Sequence, residues 1–200
     1  MTALAPVLTC DFNSQASMED LDDVALLQRI AAGDQAAFAQ FHHRHYRRLH
    51  RFLLRLTQRL DLVEEVVNDT MLTVWQTAAN FQGRSRVSTW LLGIGYHKAI
   101  KQLKRRQRHD HAVPVDDDWP DEADSPEAAA MAEYRRSDVQ QAIAQLPAIH
   151  RAVVELAYFN GYSYDEIAQL MDCPVNTVKT RMLNARAKLR KWVTAHDPRS

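Results

Sequence analysis

Apolar residues recur at α-helical spacing along almost the whole chain, and no alternating strand pattern of convincing length accompanies them. The spacing predicts helices over residues 22–31, 35–58, 61–81 and 88–108, with Gly33-Asp34 and residues 82–85 as breaks and Ser88 as an N-cap. A second helical stretch, residues 138–195, is interrupted near Leu146-Pro147, Asn160-Gly161 and Asp172-Cys173-Pro174. We expect an all-α fold.

Proline and charge divide the chain into two small helical domains. Residues 109–137 contain three prolines and little periodicity, which predicts a flexible acidic linker between domains at residues 22–108 and 138–195. Residues 1–21 are polar and mixed, so we expect a disordered N-terminal extension. A chain of 200 residues with 46% hydrophobic residues can bury a core, and this division favours two small cores over one large core.

The net charge of zero conceals a strong segregation of charge. Residues 84–108 carry eight cations and no acid, and residues 174–192 carry six cations and no acid. Between them, residues 110–138 hold ten acids against two arginines. Two basic blocks separated by an acidic connector indicate two modules that bind a polyanion, with ordinary solvated helix faces as the alternative.

The second domain contains the pattern of a helix-turn-helix. Ser163 and Glu166 have the spacing of a capping box, and Asp172-Cys173-Pro174 supplies a tight turn before the next helix. On that helix an apolar stripe faces inward, formed by Val175, Val178, Met182, Ala185 and Leu189. Its opposite face is polar and bordered by cations, which suits a helix that lies in the major groove of DNA. An ordinary amphipathic hairpin with a cationic surface is the alternative.

The first domain combines a basic helix with an acidic one. The helix over residues 88–108 has an apolar stripe and a roughly opposite row of cations, which divides it into a core face and a face for phosphates. Residues 61–76 carry Asp61, Glu64, Glu65 and Asp69 without a cation, so this helix should not face DNA. The pair indicates a protein partner on one side and nucleic acid on the other.

Three segments resemble the extracytoplasmic-function (ECF) sigma factors of bacterial RNA polymerase. Residues 61–75 resemble the family's core-binding segment, residues 81–91 the loop and helix start that follow it, and residues 163–182 its promoter-reading helix-turn-helix. The resemblance covers about residues 22–108 and 138–192 in the family's order and spacing. It implies a sigma-2-like helical bundle followed by a sigma-4-like helix-turn-helix domain.

The resemblance implies a role for each part of the first domain. Residues 61–76 would dock on the clamp coiled coil of the polymerase, although Asn68-Asp69 replaces the family's usual Gln–acid pair. The contact residues would be Asp61, Glu64, Glu65, Asp69 and Trp75. The loop at 80–88 and the basic helix would capture and hold open the minus-ten promoter element, because separated strands need a protein pocket and a cationic track. The residues implied there are Asn80, Arg84, Ser85, Arg86, Lys98, Lys101, Lys104, Arg105 and Arg108.

The helix-turn-helix would read the minus-thirty-five element. Its implied contacts are Asn176, Thr177, Lys179, Thr180, Arg181, Leu183, Asn184, Arg186 and Lys188. The partners implied are the RNA polymerase core enzyme, promoter DNA and an anti-sigma factor that sequesters both domains. There is no signal-peptide pattern and no apolar run of about 18 residues, so we expect a cytoplasmic protein without membrane insertion. No catalytic constellation is apparent, and we expect a non-enzyme without a cofactor.

The histidines, cysteines and tryptophans are expected to have structural or surface roles. His42, His43, His45 and His50 lack a neighbouring carboxylate or cysteine, so a solvated or polymerase-facing surface is favoured over a metal site. Cys10 and Cys173 are too far apart in sequence to suggest a zinc motif, and Cys173 is expected to pack as a small hydrophobe. Trp75 and Trp90 are expected in the core rather than as stacking platforms for bases.

Two other classes of protein remain open on the sequence. A standalone helix-turn-helix regulator would bind operators by itself, but it would not need the acidic helix at residues 61–76. A protein-interaction adaptor would not need two clean cationic faces. Binding to core RNA polymerase distinguishes the sigma factor from both.

Overall fold

The computed structural model describes residues 12–110 and 138–195. The first stretch contains α1 (Phe12–Ala31), α2 (Gln35–Thr57), α3 (Leu60–Thr77), a 3-10 turn (Ala78–Asn80) and α4 (Val87–Asp110). The second contains α5 (Asp138–Ala144), α6 (Ala148–Val154), a π-helical turn (Glu155–Phe159), α7 (Tyr164–Leu170) and α8 (Val175–Ala195). These two stretches contain helices, turns and bends but no strand, so the all-α prediction is confirmed.

The first domain is a bundle in which α2, α3 and α4 pack against one another and α1 lies across them. Asp34 begins α2 as its N-cap, because its side chain accepts a hydrogen bond from Ala37 N at 3.0 Å. Helix α2 ends at Thr57, and its C-cap residue Gln58 adopts a left-handed backbone conformation (φ 58°). Gly95 allows α4 to approach α2 closely, since a Cβ there would lie 2.9 Å from Leu49 Cδ1. A larger residue at position 95 would therefore require the Leu49 side chain to move.

The start of the first helix differs from the prediction. We expected residues 1–21 to form a disordered extension, but α1 begins at Phe12, ten residues before the predicted start near Asp22. Within this helix, Asp20 Oδ1 accepts a hydrogen bond from Val87 N at 2.9 Å, a long-range contact that the local pattern could not show. The predicted N-cap of α4 is also wrong. The helix begins at Val87, so Ser88 lies inside its first turn.

The second domain contains the predicted helix-turn-helix. Ser163 and Glu166 form the expected capping box at the start of α7, with hydrogen bonds in both directions. Asp172 takes a left-handed conformation (φ 47°) in the turn that leads into α8. Val178, Met182 and Ala185 are buried and Val175 and Leu189 pack beside them, which confirms the predicted inward stripe.

The two domains are in contact, and their buried side chains form one continuous apolar cluster rather than the two cores we expected. Helix α7 packs on α4 at Gly93, where a Cβ would lie 3.3 Å from the Leu170 carbonyl oxygen. Arg48 Nη2 donates to the Tyr162 hydroxyl at 3.1 Å, and that hydroxyl donates to Ser88 Oγ at 3.3 Å. The two domains are thus joined by close helix packing at Gly93 and by polar contacts around Tyr162.

Two sequence predictions fall on residues that the structure does not describe. The predicted linker covers residues 109–137, and from position 111 onward it lies outside the described stretches. Cys10 also lies outside them. In the part of the chain that is described, the helices are too short or too polar to cross a membrane.

Candidate nucleic-acid interface

Helix α8 presents a polar face on the side away from the core. Asn176, Thr180 and Asn184 are exposed on it, and Leu183 is 68% exposed among them. Lys179, Arg186 and Lys188 are exposed at its borders. Exposed amides and a hydroxyl between cations match the donors and acceptors of base edges flanked by phosphates.

Three of the residues predicted for this face are less available than the others. Arg181 is half-buried and directs its guanidinium back to the turn, 3.5 Å from Cys173 Sγ and 3.9 Å from Met171 Sδ. Thr177 is half-buried, and Thr180 donates its hydroxyl hydrogen to the Asn176 carbonyl at 2.9 Å. Thr180 therefore retains an acceptor and a methyl group for DNA, whereas Arg181 braces the turn.

The loop that precedes α4 brings the second group of predicted residues together. Asn80 ends the 3-10 turn and is exposed, and Arg84 and Arg86 are exposed on either side of half-buried Ser85. Asp20 anchors the following backbone through Val87, and Trp90 packs on Phe81 with ring centroids 5.3 Å apart. The loop is thus anchored at both ends. Arg84 and Arg86 are exposed, and Arg86 Nε lies 3.9 Å from Glu166 of α7.

The cations of α4 divide into two groups. Lys101 and Lys104 are exposed, which suits a row of cations that faces phosphates, and Lys98 is half-buried. Arg105 instead lies 3.9 Å from Glu65, and Arg106 donates to Asp61 at 2.7 Å. Arg106 was not predicted as a functional residue, and Arg105 points to α3 rather than away from it. Helical periodicity placed Arg105 on α4, but it could not show that α3 lies beside this residue. The side chain of Arg108 lies outside the described part of the chain.

Helix α3 carries a continuous acidic face opposite its buried side. Asp61, Glu64, Glu65 and Asp69 are all exposed, and Leu72 is 52% exposed on the same face. Tyr46 and His50 of α2 hold Glu64, the tyrosine hydroxyl donating at 2.8 Å and His50 Nε2 lying 3.3 Å away. Trp75 is half-buried against Phe38, in an edge-on contact with centroids 5.3 Å apart, in agreement with the expected core position.

The environment of Asp61 keeps it ionised. Partial burial raises the pKa of its carboxyl group, but hydrogen bonds from Arg59 and the charges of Arg59 and Arg106 outweigh that effect and lower the pKa below its ordinary value. Asp61 is therefore charged at neutral pH. Leu72 at the C-terminal end of this face was not predicted from the sequence, although its three-residue spacing from Asp69 indicates the same face.

A cavity of about 670 Å³ opens between α4 and α7, where the two domains meet. Its walls include Trp90, Gly93, Ile94 and Leu170. Arg84, Ser85 and Lys98, three of the residues predicted for the minus-ten element, also line it. In this arrangement the second domain thus lies beside part of the first domain's cationic surface.

Both domains match known protein families. Residues 41–109 match the model of sigma-70 region 2, and residues 136–189 match that of sigma-70 region 4. The chain is 33% identical over 187 residues to the ECF RNA polymerase sigma factor SigM of Mycobacterium tuberculosis, which covers 92% of this chain and 91% of that protein. The chain belongs to the ECF sigma factor family. It is thus an alternative sigma factor, a transcription initiation factor of bacterial RNA polymerase.

Further relatives and solved structures agree with this assignment. The sigma factor is 30% identical over 178 residues to the RNA polymerase sigma-H factor of Pseudomonas aeruginosa, covering 84% of this chain and 92% of that protein. Its fold is similar to that of CnrH in complex with the cytosolic domain of CnrY, with a TM-score of 0.62, 25% identity, and 88% and 99% of the two chains covered. It is also similar to RpoE of Bartonella quintana in complex with the anti-sigma factor NepR, with a TM-score of 0.60, 24% identity, and 80% and 98% covered.

The histidines of this sigma factor serve different structural roles. His45 is buried, contrary to the expected solvated or polymerase-facing surface, and its Nε2 lies 3.0 Å from Asp23 of α1. The local pattern could not show this, because α1 was not expected to cover that side of α2. His42, Tyr46 and His50 stack along α2 with centroids 5.4 and 5.6 Å apart. Among the described residues no group of histidine, cysteine and acidic side chains has the arrangement of a metal site.

Proposed function

We propose that this sigma factor docks on core RNA polymerase through the acidic face of α3, opens the minus-ten element with its first domain and reads the minus-thirty-five element with α8. An anti-sigma factor restrains it until a signal arrives. It acts in the bacterial cytoplasm and has no catalytic activity of its own. The observation that carries the proposal is the spatial separation of one acidic face from two cationic faces on a single folded chain.

The acidic face of α3 fits a basic protein partner. Exposed Leu72 continues the face that carries the four carboxylates, one turn beyond Asp69, so a partner helix can make an apolar contact next to a row of charge. Arg106, Arg59, Tyr46 and His50 hold Asp61 and Glu64 in place, which reduces the conformational entropy lost on binding. Asp69 stands beside Leu72 and is the carboxylate we assign to the partner directly.

The two cationic faces fit two parts of one promoter. The loop with Arg84 and Arg86, followed by Lys101 and Lys104, provides a row of phosphate contacts next to the cavity at Trp90. Helix α8 provides the exposed amides of Asn176 and Asn184 for base edges in the major groove. Single-stranded and double-stranded DNA would thus be bound by different domains.

The proposal of an anti-sigma partner rests on the cavity between the two domains. One structural neighbour is a sigma factor bound to an anti-sigma factor. In the present chain, residues assigned to the minus-ten element line the cavity between the domains. A partner that stabilises this arrangement would keep those residues from DNA.

The experiment is binding of the purified protein to core RNA polymerase by native gel, followed by run-off transcription from a fragmented genomic library. The proposal predicts a stoichiometric complex that starts transcription at discrete sites. Asp69→Lys should weaken core binding at least tenfold, because the interface would then contain a repelled cation. Asp165→Lys changes the net charge equally at an exposed position of α7 and serves as the matched control.

Two results would count against the proposal. Equal core binding by wild type and Asp69→Lys would remove α3 as the docking surface. Footprints by the protein alone, without any association with core enzyme, would support a standalone regulator instead.

A further inference from the structure

The π-helical turn Glu155–Phe159 places one tyrosine beside the recognition helix. A π-helical turn adds a residue to the helical repeat, and such turns often occur at functional sites. Here the turn buries Glu155 completely and leaves Tyr158 62% exposed. Arg186 of α8 donates from Nη2 to the Tyr158 hydroxyl at 2.8 Å, and its guanidinium carbon lies 6.0 Å from the ring centroid.

Tyr158 and Arg186 are both exposed and keep hydrogen-bond donors that their mutual contact does not use. The tyrosine oxygen accepts from Arg186 and keeps its own hydrogen for a further acceptor. The guanidinium keeps its other N–H groups, and the hydrogen bond to Tyr158 raises the pKa of Arg186 above its ordinary value. Among the described residues, no carboxylate lies within salt-bridge distance of Arg186. An exposed pair of donors without a neighbouring acid is suited to an anion.

The position of the pair on α8 indicates that the anion is a phosphate of the DNA backbone. Arg186 stands at the border of the polar face of α8, two residues beyond Asn184. If α8 lies in a major groove, side chains at this border face the DNA backbone. Exposed tyrosine and arginine are both common donors to phosphate oxygens. Tyr158 comes from a different element and was not among the residues that the sequence indicated.

We propose that Tyr158 and Arg186 together clamp one backbone phosphate at the minus-thirty-five element, with Tyr158 fixing the guanidinium and donating its own hydroxyl hydrogen. This inference rests on the proposed function of α8. It assigns a DNA contact to the π-helical turn, outside the helix-turn-helix itself. A hydroxyl contributes no counterion release, so its effect differs from that of a cation.

The test uses holoenzyme assembled from core RNA polymerase and the full chain. The probe is a fluorescein-labelled duplex that carries a promoter identified by run-off transcription with wild type. Tyr158→Phe should weaken binding about three- to tenfold at every salt concentration, because one hydrogen bond to a charged group is lost. The slope of log affinity against log salt should stay unchanged for Tyr158→Phe and become shallower by about one for Arg186→Ala.

The control and the double variant make the result specific. Thr194→Val removes another exposed hydroxyl of α8, which donates to the carbonyl oxygens of Arg190 and Lys191 at 3.0 Å, and should bind as wild type does. In an Arg186→Ala background, Tyr158→Phe should have less than about a twofold effect, because the clamp acts as a unit. Unchanged binding of core enzyme by each variant would show that the fold and the docking surface are intact.

The contrary results separate this inference from the proposed function. Wild-type holoenzyme that fails to start transcription at discrete sites would overturn both. If Arg186→Ala weakens DNA binding but Tyr158→Phe binds like wild type, the clamp is overturned and the role of α8 stands. Equal effects of Tyr158→Phe in the presence and absence of Arg186 would also overturn the clamp.

Discussion

The guanidinium of Arg55 in α2 lies 3.2 Å from the carboxylate of Glu155, which belongs to the other helical domain and is completely buried. The same guanidinium lies 4.7 Å from the centre of the Phe159 ring. A carboxylate removed from water is tolerated when it is paired, and removing its partner is costly. The contact between the two domains therefore depends on this ion pair as well as on apolar burial.

Arg55→Ala should lower the free energy of unfolding by about 1–3 kcal/mol, because it takes a charged partner from a buried carboxylate. Urea unfolding followed by circular dichroism measures the change. Arg51→Ala, one turn earlier on the same helix and exposed, is the control and should change stability by less than about 0.5 kcal/mol. Equal effects of the two variants would mean that the ion pair contributes nothing specific.

Helix periodicity predicted the elements of this fold and the inward stripe of α8, because both depend on residues close together in sequence. The early start of α1 was not predicted, and neither was the burial of His45, which depends on a contact with Asp23 of a distant segment. The site shows the same division. The capping box and the polar face of α8 follow from local spacing, whereas the pairing of Arg105 and Arg106 with α3 does not.

Leu72→Ala should weaken binding to core RNA polymerase by about tenfold while leaving stability nearly unchanged. The side chain is half-exposed in the free protein and would lose its contact area only in the complex. Titration of labelled core enzyme measures the affinity. Leu21→Ala removes an equally large and more exposed side chain from α1 and is the matched control. A loss shared by both variants would point to a general effect of surface leucines.

Asn184→Ala should change which promoters are used, because an amide in the major groove discriminates between bases by about 1–3 kcal/mol. Run-off transcription from promoters with single-base changes measures this preference. Lys179→Ala, which removes a border cation, should instead weaken all promoters about equally. If Asn184→Ala also weakens every promoter equally, Asn184 does not contact a base edge.

Asp20→Ala should loosen the start of α4 and with it the loop at Arg84 and Arg86. The carboxylate accepts from the first backbone N–H group of that helix, and losing such a cap costs about 0.5–2 kcal/mol. Hydrogen exchange at residues 84–90 should therefore become faster. Asp22→Ala changes an exposed carboxylate on the same helix and should leave that exchange as it is in wild type. Unchanged exchange in Asp20→Ala would show that the bond does not hold the loop.

His150 should make the second domain less stable in mild acid. Burial lowers the pKa of its imidazole below the ordinary value of 6.5, and the charges of Lys188 and Arg181 lower it further. The unfolded chain then binds the proton more readily than the folded chain does. Neutral His150 therefore makes its full contribution to the free energy of unfolding above about pH 6.5. This contribution is lost as the pH falls through the folded-state pKa.

His150→Gln, which cannot be protonated, should thus lose less stability than wild type when the pH is lowered from about 7.5 to 5. Urea unfolding at several pH values measures the difference between the two curves. His43→Gln replaces an exposed histidine on α2 and should keep the decline of the wild type. If His150→Gln declines as steeply as wild type does, protonation of His150 is not what destabilises the packing of α6 against α8.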